Sequence, residues 1–256
     1  MTSITDKPIS AIVYSHYHLD HIGGTDTLIE LNNKKYPSKA KRGLRIIASK
    51  QVNDNIKQYA DFSNNGSINP KVPVPTETFS KRMKTINFGN QKLVLNTLKG
   101  AGHTKDNTLI LLPKERVLHF VDMINPDQLP FYNFAGAEHF PRGYIRDLNY
   151  LISDKFCAKW DFINGGHGNI GTKTDIYKLL DYIHDLTLAT KEVLNSTNYP
   201  TIKADGNHFI WFKRWQNTIT KSVKERLRNK YSHMYGFDAG VVESHAAMVL
   251  NELIDH

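Results

Sequence analysis

A single cysteine, Cys157, occurs in 256 residues, so no internal disulfide can form and packing alone must hold the fold. That usage suits a reducing compartment. No apolar run approaches the roughly 20 residues that a bilayer-spanning helix needs. The N-terminal Met-Thr-Ser-Ile-Thr-Asp-Lys-Pro lacks the basic-then-apolar layout of a secretory signal. A cytoplasmic location with no membrane partner is the expectation. Internal repeats, low-complexity tracts and a Gly-rich phosphate loop are all missing, which argues against solenoids and P-loop nucleotide chemistry.

Acid is scarce too: 25 Asp and Glu face 33 Lys and Arg, a net charge of +8. The densest basic stretch contains Lys34, Lys35, Lys39, Lys41, Arg42, Arg45 and Lys50 with no acid among them, broken by Pro37 and Gly43. Such a stretch is more often a solvated loop than a binding patch, so nucleic acid is the less favoured partner and a small molecule the favoured one. A hydrophobic fraction of 40% is ordinary, and the length suits one large domain or one domain with an appendage.

What is abundant is histidine, and it is concentrated. Tyr14-Ser-His-Tyr-His-Leu-Asp-His-Ile-Gly-Gly24 places His16, His18, Asp20 and His21 within six residues, directly after the apolar Ala11-Ile12-Val13. Apolar run, polar loop, glycines and then an apolar-periodic segment read as strand, tight loop, helix. Three imidazoles and a carboxylate in one turn suit a divalent cation such as zinc, whose preferred ligands are neutral imidazole nitrogen and carboxylate oxygen.

Further along, the pattern predicts a strand at 9–15, helices at 25–33 and 50–62, and a strand at 44–48. Residues 64–70 read as a breaker-rich loop. Strands at 79–88 and 91–98 should flank a Gly89-Asn90 turn, with two more at 109–112 and 116–121. Strict alternation along the last of these would put His119 on the face opposite Asp122, as a structural histidine. The aromatic stretch 126–142 is a loop leaving the Asp122 strand, and Tyr132, His139 and Arg142 are candidates for a substrate wall. Helices follow at 147–157 and 174–194, a strand at 162–165, and two helices at 218–231 and 239–254. Trp211, Phe212 and Trp215 are expected to dock this tail. The boundary falls near residue 195, giving a domain over 1–195 and a helical extension over 196–256.

His16-x-His18-x-Asp20-His21, Gly102-His103-Thr104, Val117-Leu-His-Phe-Val-Asp122 and Gly165-Gly-His167-Gly168 occur in that order. This set resembles the motifs of the metallo-β-lactamase-fold hydrolases, over roughly residues 9 to 190. The resemblance implies an α/β fold, an αββα sandwich, and two metal ions, zinc first with iron or manganese as alternatives. His16, His18 and His103 would hold one ion, Asp20, His21 and His167 the other, and Asp122 would bridge them. Asp20 and Asp122 are the carboxylates with catalytic roles. A hydroxide shared by the metals would attack a small ester, thioester, lactone or lactam. The alternatives are a phosphodiesterase acting on nucleic acid and a non-catalytic metal-binding relative. Only about fifteen residues precede His16, room for one strand, so the first sheet should be N-terminally shortened. The tail, a second subunit or truncation would account for the uncovered face, and a homodimer is the favoured of the three.

Overall fold

A computed structural model describes residues 5–40, 43–63, 72–100, 102–134, 140–203 and 206–255. The predicted loop at 64–70, together with Lys41, Arg42 and His139, lies outside these residues. The chain divides into two compact units, one comprising 1–98 and 105–114, the other 99–104 and 115–256.

The first unit begins with β1 (Ala11–Val13), the one-turn α1 (Leu19–Ile22), α2 (Thr25–Lys35) and α3 (Pro37–Ala40). It continues through β2 (Arg45–Ser49), α4 (Lys50–Ser63), β3 (Glu77–Phe79), β4 (Met83–Phe88), β5 (Gln91–Thr97) and β6 (Thr108–Leu112). Strand β2 is parallel to β1 and to β3, with Ile47 opposite Val13 on one side and Glu77 on the other. Buried on both faces, it reads Ile46-Ile47-Ala48, the continuous apolar run that a covered parallel strand requires. Its alternation divides two cores. Ile46 and Ala48 pack with Tyr14, Ile22, Val52 and Ile56, while Ile47 packs with Phe79 of β3 and with Ile86, Leu95 and Ile110 of the antiparallel β4–β5–β6 set.

Residues 79–88, predicted as one strand, are two. Ser80-Lys81-Arg82 interrupt them, and β3 joins the parallel sheet while β4 pairs with β5. An exposed polar triplet inside an otherwise alternating run marks a strand changing partners.

The second unit holds β7 (Val117–His119), α5 (Arg142–Ile152), α6 (Asp154–Cys157), β8 (Phe162–Asn164), β9 (Ile170–Gly171), α7 (Lys173–Ser196), α8 (His208–Tyr231) and α9 (Val241–Asp255). Helix α7 starts on a capping box, Thr172 with Asp175 at the third helical position. It buries Ile176, Leu179, Ile183, Leu186 and Val193, spaced as one helical face. Helix α8 starts ten residues before the predicted 218, because the Asn207 side chain accepts from the Phe209 and Ile210 amides and caps it. The aromatic cluster therefore lies within the helix. Trp215 is buried, but Phe209 is 75% exposed and Phe212 also faces solvent. The tail packs through Ile219, Val223 and Leu227 with Val242, Ala246 and Val249 instead. No described helix is long and apolar enough to cross a membrane.

Within this unit His245 is fully buried. Its Nε2 donates to the Phe131 carbonyl at 2.9 Å, so Nδ1 accepts from the Tyr182 hydroxyl at 2.8 Å. Burial pushes the imidazole down to about 4. The unfolded chain therefore binds a proton that the folded chain excludes between about pH 6.5 and 4, and stability must fall as pH drops through that window. Urea titrations should show wild type losing about 2 kcal/mol more than His245→Gln between pH 7 and pH 5. Parallel pH profiles for the two proteins would contradict this.

Candidate metal centre

Strand β1 hands its chain to the histidine loop under tight control. The Tyr14 amide donates to Ile47 at 2.9 Å, and the Ser15 carbonyl accepts from Thr108 at 2.8 Å, fixing the exit between β2 and β6. The chain bends over 15–17 and is extended at His18, whose carbonyl then accepts from the His21 and Ile22 amides and opens α1. A bent segment followed at once by a helical turn gathers side chains that a strand alone would alternate between two faces. The His16 ring lies 4.6 Å from that of His18 and 4.8 Å from that of His21, and His21 Nε2 is 3.2 Å from Asp20 Oδ2. His16 is fully buried, with Ser15 Oγ 3.1 Å from its Nδ1. Outer contacts of this kind hold a ligating imidazole in one orientation.

In the second unit the 99–104 loop is cradled by a carboxylate. Asp147 on α5 accepts from the Gly100 amide at 2.9 Å and from the Gly102 amide at 3.0 Å. A Cβ on Gly100 would lie 2.0 Å from Asp147 Oδ1, so only glycine permits this approach. The loop delivers His103, fully buried. Asp147 was not among the residues singled out by sequence. The available signal was its place in the α5 stripe Tyr144, Leu148, Leu151, a charge at a core position of an amphipathic helix.

Strand β7 ends at His119, opposite Asn164, three residues before Asp122. Strict alternation therefore does not carry through to Asp122, which sits in the left-handed region at φ 64° with its amide donating to the Gly165 carbonyl at 2.8 Å. Aspartate is among the few side chains that tolerate this backbone. The result is a carboxylate with one oxygen for each of two histidines. Asp122 Oδ2 is 3.4 Å from His103 Nε2, and Oδ1 is 3.3 Å from His167 Nε2. His167 is half exposed, whereas Asp122 is buried. Beside them the Tyr144 phenol is held neutral, its pKa pushed well up by burial and then by the Asp122 charge, and it donates to the Met123 carbonyl at 2.6 Å.

Of the seven residues singled out for metal, the first unit brings together His16, His18, Asp20 and His21, and the second brings together His103, Asp122 and His167. The donor chemistry fits a borderline divalent cation. The first unit offers three imidazoles and a carboxylate, the second two imidazoles and a carboxylate. Cys157 lies apart, on α6.

The three residues considered for substrate are placed differently. Tyr132 is exposed, edge-on to Phe131 with ring centroids 4.7 Å apart. Arg142 opens α5 and bonds Glu252 of α9 through Nε at 2.9 Å and Nη2 at 2.5 Å. His139 is outside the described residues.

Solved structures resemble this one. A metallo-beta-lactamase from Pontibacter korlensis matches with a TM-score of 0.51 and 19% identity, over 70% of this chain and 71% of that one. The metallo-beta-lactamase IND-7 matches with a TM-score of 0.52 and 18% identity, over 72% of each chain. A double mutant of the sec-alkyl sulfatase PisA1 reaches 0.56 at 17% identity, over 80% of this chain but 38% of that one. These likenesses show the fold, a mixed α/β architecture of the metallo-β-lactamase type with a helical C-terminal region. No curated protein matches the sequence. The model of one family, the metallo-beta-lactamase superfamily, matches residues 2–155. With more than half of its length matched, the chain belongs to the metallo-beta-lactamase superfamily.

Proposed function

We propose that the protein is a metal-dependent hydrolase of a small ester, thioester, lactone or lactam. In this reading His16, His18 and His103 hold one zinc ion, Asp20, His21 and His167 hold a second, and Asp122 is common to both. The observation that carries it is the two-faced carboxylate of Asp122, with one oxygen toward His103 and the other toward His167. Bound there, a pair of divalent cations would supply Lewis acidity and a water acidified into the neutral range.

The chain's own residues do the rest. Asp122 sets a compensating negative charge between the imidazoles of His103 and His167. Ser15 orients the His16 ring, and Asp147 fixes the loop that presents His103. No serine or cysteine nucleophile is needed. Several basic side chains, among them Arg45, Arg116, Arg226 and Lys230, are paired with Glu77, Asp161, Glu192 and Asp185 and so are not bare sites for a polyanion.

The test is a panel of an aryl ester, a thioester, a lactone, a β-lactam and a phosphodiester offered to zinc-loaded protein. At least one of the first four should turn over, with activity lost to a chelator and restored by zinc. Turnover confined to the phosphodiester, or none above background across the panel, would overturn the assignment.

A further inference from the structure

The mechanism above leaves one polar cluster unused, the buried pair Tyr182 and His245, and the segment it grips leads back to a proposed ligand. Residues 125–134 leave Asp122 and are held by the C-terminal helices at several points. His245 on α9 donates to the Phe131 carbonyl, and Tyr182 on α7 donates to His245. Phe134 lies against His245 at a ring separation of 4.0 Å and edge-on to Tyr144 at 5.3 Å. Between α8 and α9, Tyr235 accepts from the Leu129 amide at 3.0 Å and donates to the Asp127 carbonyl at 3.3 Å.

The other side of the same segment presses on the loop that carries His167. A Cβ on Gly165 would fall 1.6 Å from the Ile124 carbonyl oxygen, and one on Gly168 would fall 2.5 Å from Gln128 Nε2. The Asn125 side-chain amide lies against the carbonyl of His167 itself, and with its oxygen and nitrogen exchanged it donates to that carbonyl. His167 is half exposed, with Asp122 at its Nε2, and the backbone beneath the ring rests on 124–128.

We propose that Tyr182 and His245 are positioning residues for His167. The helices α7 and α9 clamp residues 125–134, and that segment, through Asn125 and Gln128, sets the 165–168 loop. This rests on the reading of His167 as a metal ligand, but half of its content, the mechanical link between the helices and the 165–168 loop, does not. A network whose every member is satisfied behaves as a unit, so loosening one end should be felt at the other.

Hydrogen exchange resolved by peptide, with zinc affinity by chelator competition, tests both halves. Tyr182→Phe removes one oxygen and no volume, so it reports even if His245→Ala fails to fold. Both variants should exchange faster at 125–134 and at 165–168 with the remaining helices unchanged. The weaker-bound zinc equivalent should lose about tenfold in affinity, the lower end of what removal of an outer support costs a metal site. His245→Gln, which keeps an N–H able to reach Phe131, should recover part of both effects. Unchanged exchange at 165–168, a uniform rise across all helices, or unchanged zinc affinity would each overturn the proposal. A wild type that binds no zinc would sink the hydrolase reading instead, while the exchange comparison, made without metal, still decides the mechanical link.

Discussion

Asp122→Ala is expected to reduce hydrolysis of a confirmed substrate by at least about a thousandfold, with the fold intact. Both His103 and His167 face this carboxylate, one through each oxygen. In the proposed centre it is the only anion shared by two cations, and without it their mutual repulsion is uncompensated. One metal should be lost and the other held more weakly. The left-handed backbone at Asp122 means that alanine also pays a conformational cost there of about 1 kcal/mol or more. Asp122→Asn separates the two effects, since asparagine tolerates the same backbone and lacks the charge. Both variants should be inactive, with Asp122→Asn the more stable in urea denaturation. Full activity in either would refute a mechanism built on the shared carboxylate.

Asp147→Ala should be nearly as damaging, through the loop that it holds. Its carboxylate is buried and accepts from the amides of Gly100 and Gly102. Removing it leaves two N–H donors without their partner in a site closed to bulk water, a loss of about 2–4 kcal/mol. The loop so released carries His103, so activity should drop by about a hundredfold even at temperatures where the variant stays folded. Asp147→Asn keeps one acceptor and should fall between. A thermal melt paired with zinc-dependent turnover checks this. A variant with wild-type melting temperature and turnover would show that the carboxylate cradle does not hold the loop.

The histidine loop was legible because its ligands are contiguous: six residues carry four donors, and the apolar run before them fixes where the strand ends. His103, Asp122 and His167 were legible through their own short motifs, although nothing local says that Asp122 would turn left-handed to offer one oxygen to each histidine. That conformation depends on the Gly165 carbonyl, brought alongside by the parallel pairing of β7 with β8. Asp147 was hidden for a similar reason, since its partners lie 45 and 47 positions away along the chain.

Strand β3 was merged with β4 because alternation continues through both, and only the choice of partner separates them. The start of α8 was misplaced because Phe209, Ile210 and Phe212 look like core by composition, whereas the Asn207 cap makes them an exposed helical end. His245 was passed over as one polar residue in the apolar stripe Val242, Ala246, Val249, Leu250, with nothing in sequence to reveal Phe131 as its partner.

The central claim is a pair of metal ions sharing Asp122, and elemental analysis of protein purified without chelator and loaded with zinc tests it most directly. About two zinc equivalents per chain are predicted for wild type and about one for Asp122→Asn. One equivalent in wild type, unchanged by that substitution, or a value near zero after loading, would contradict it.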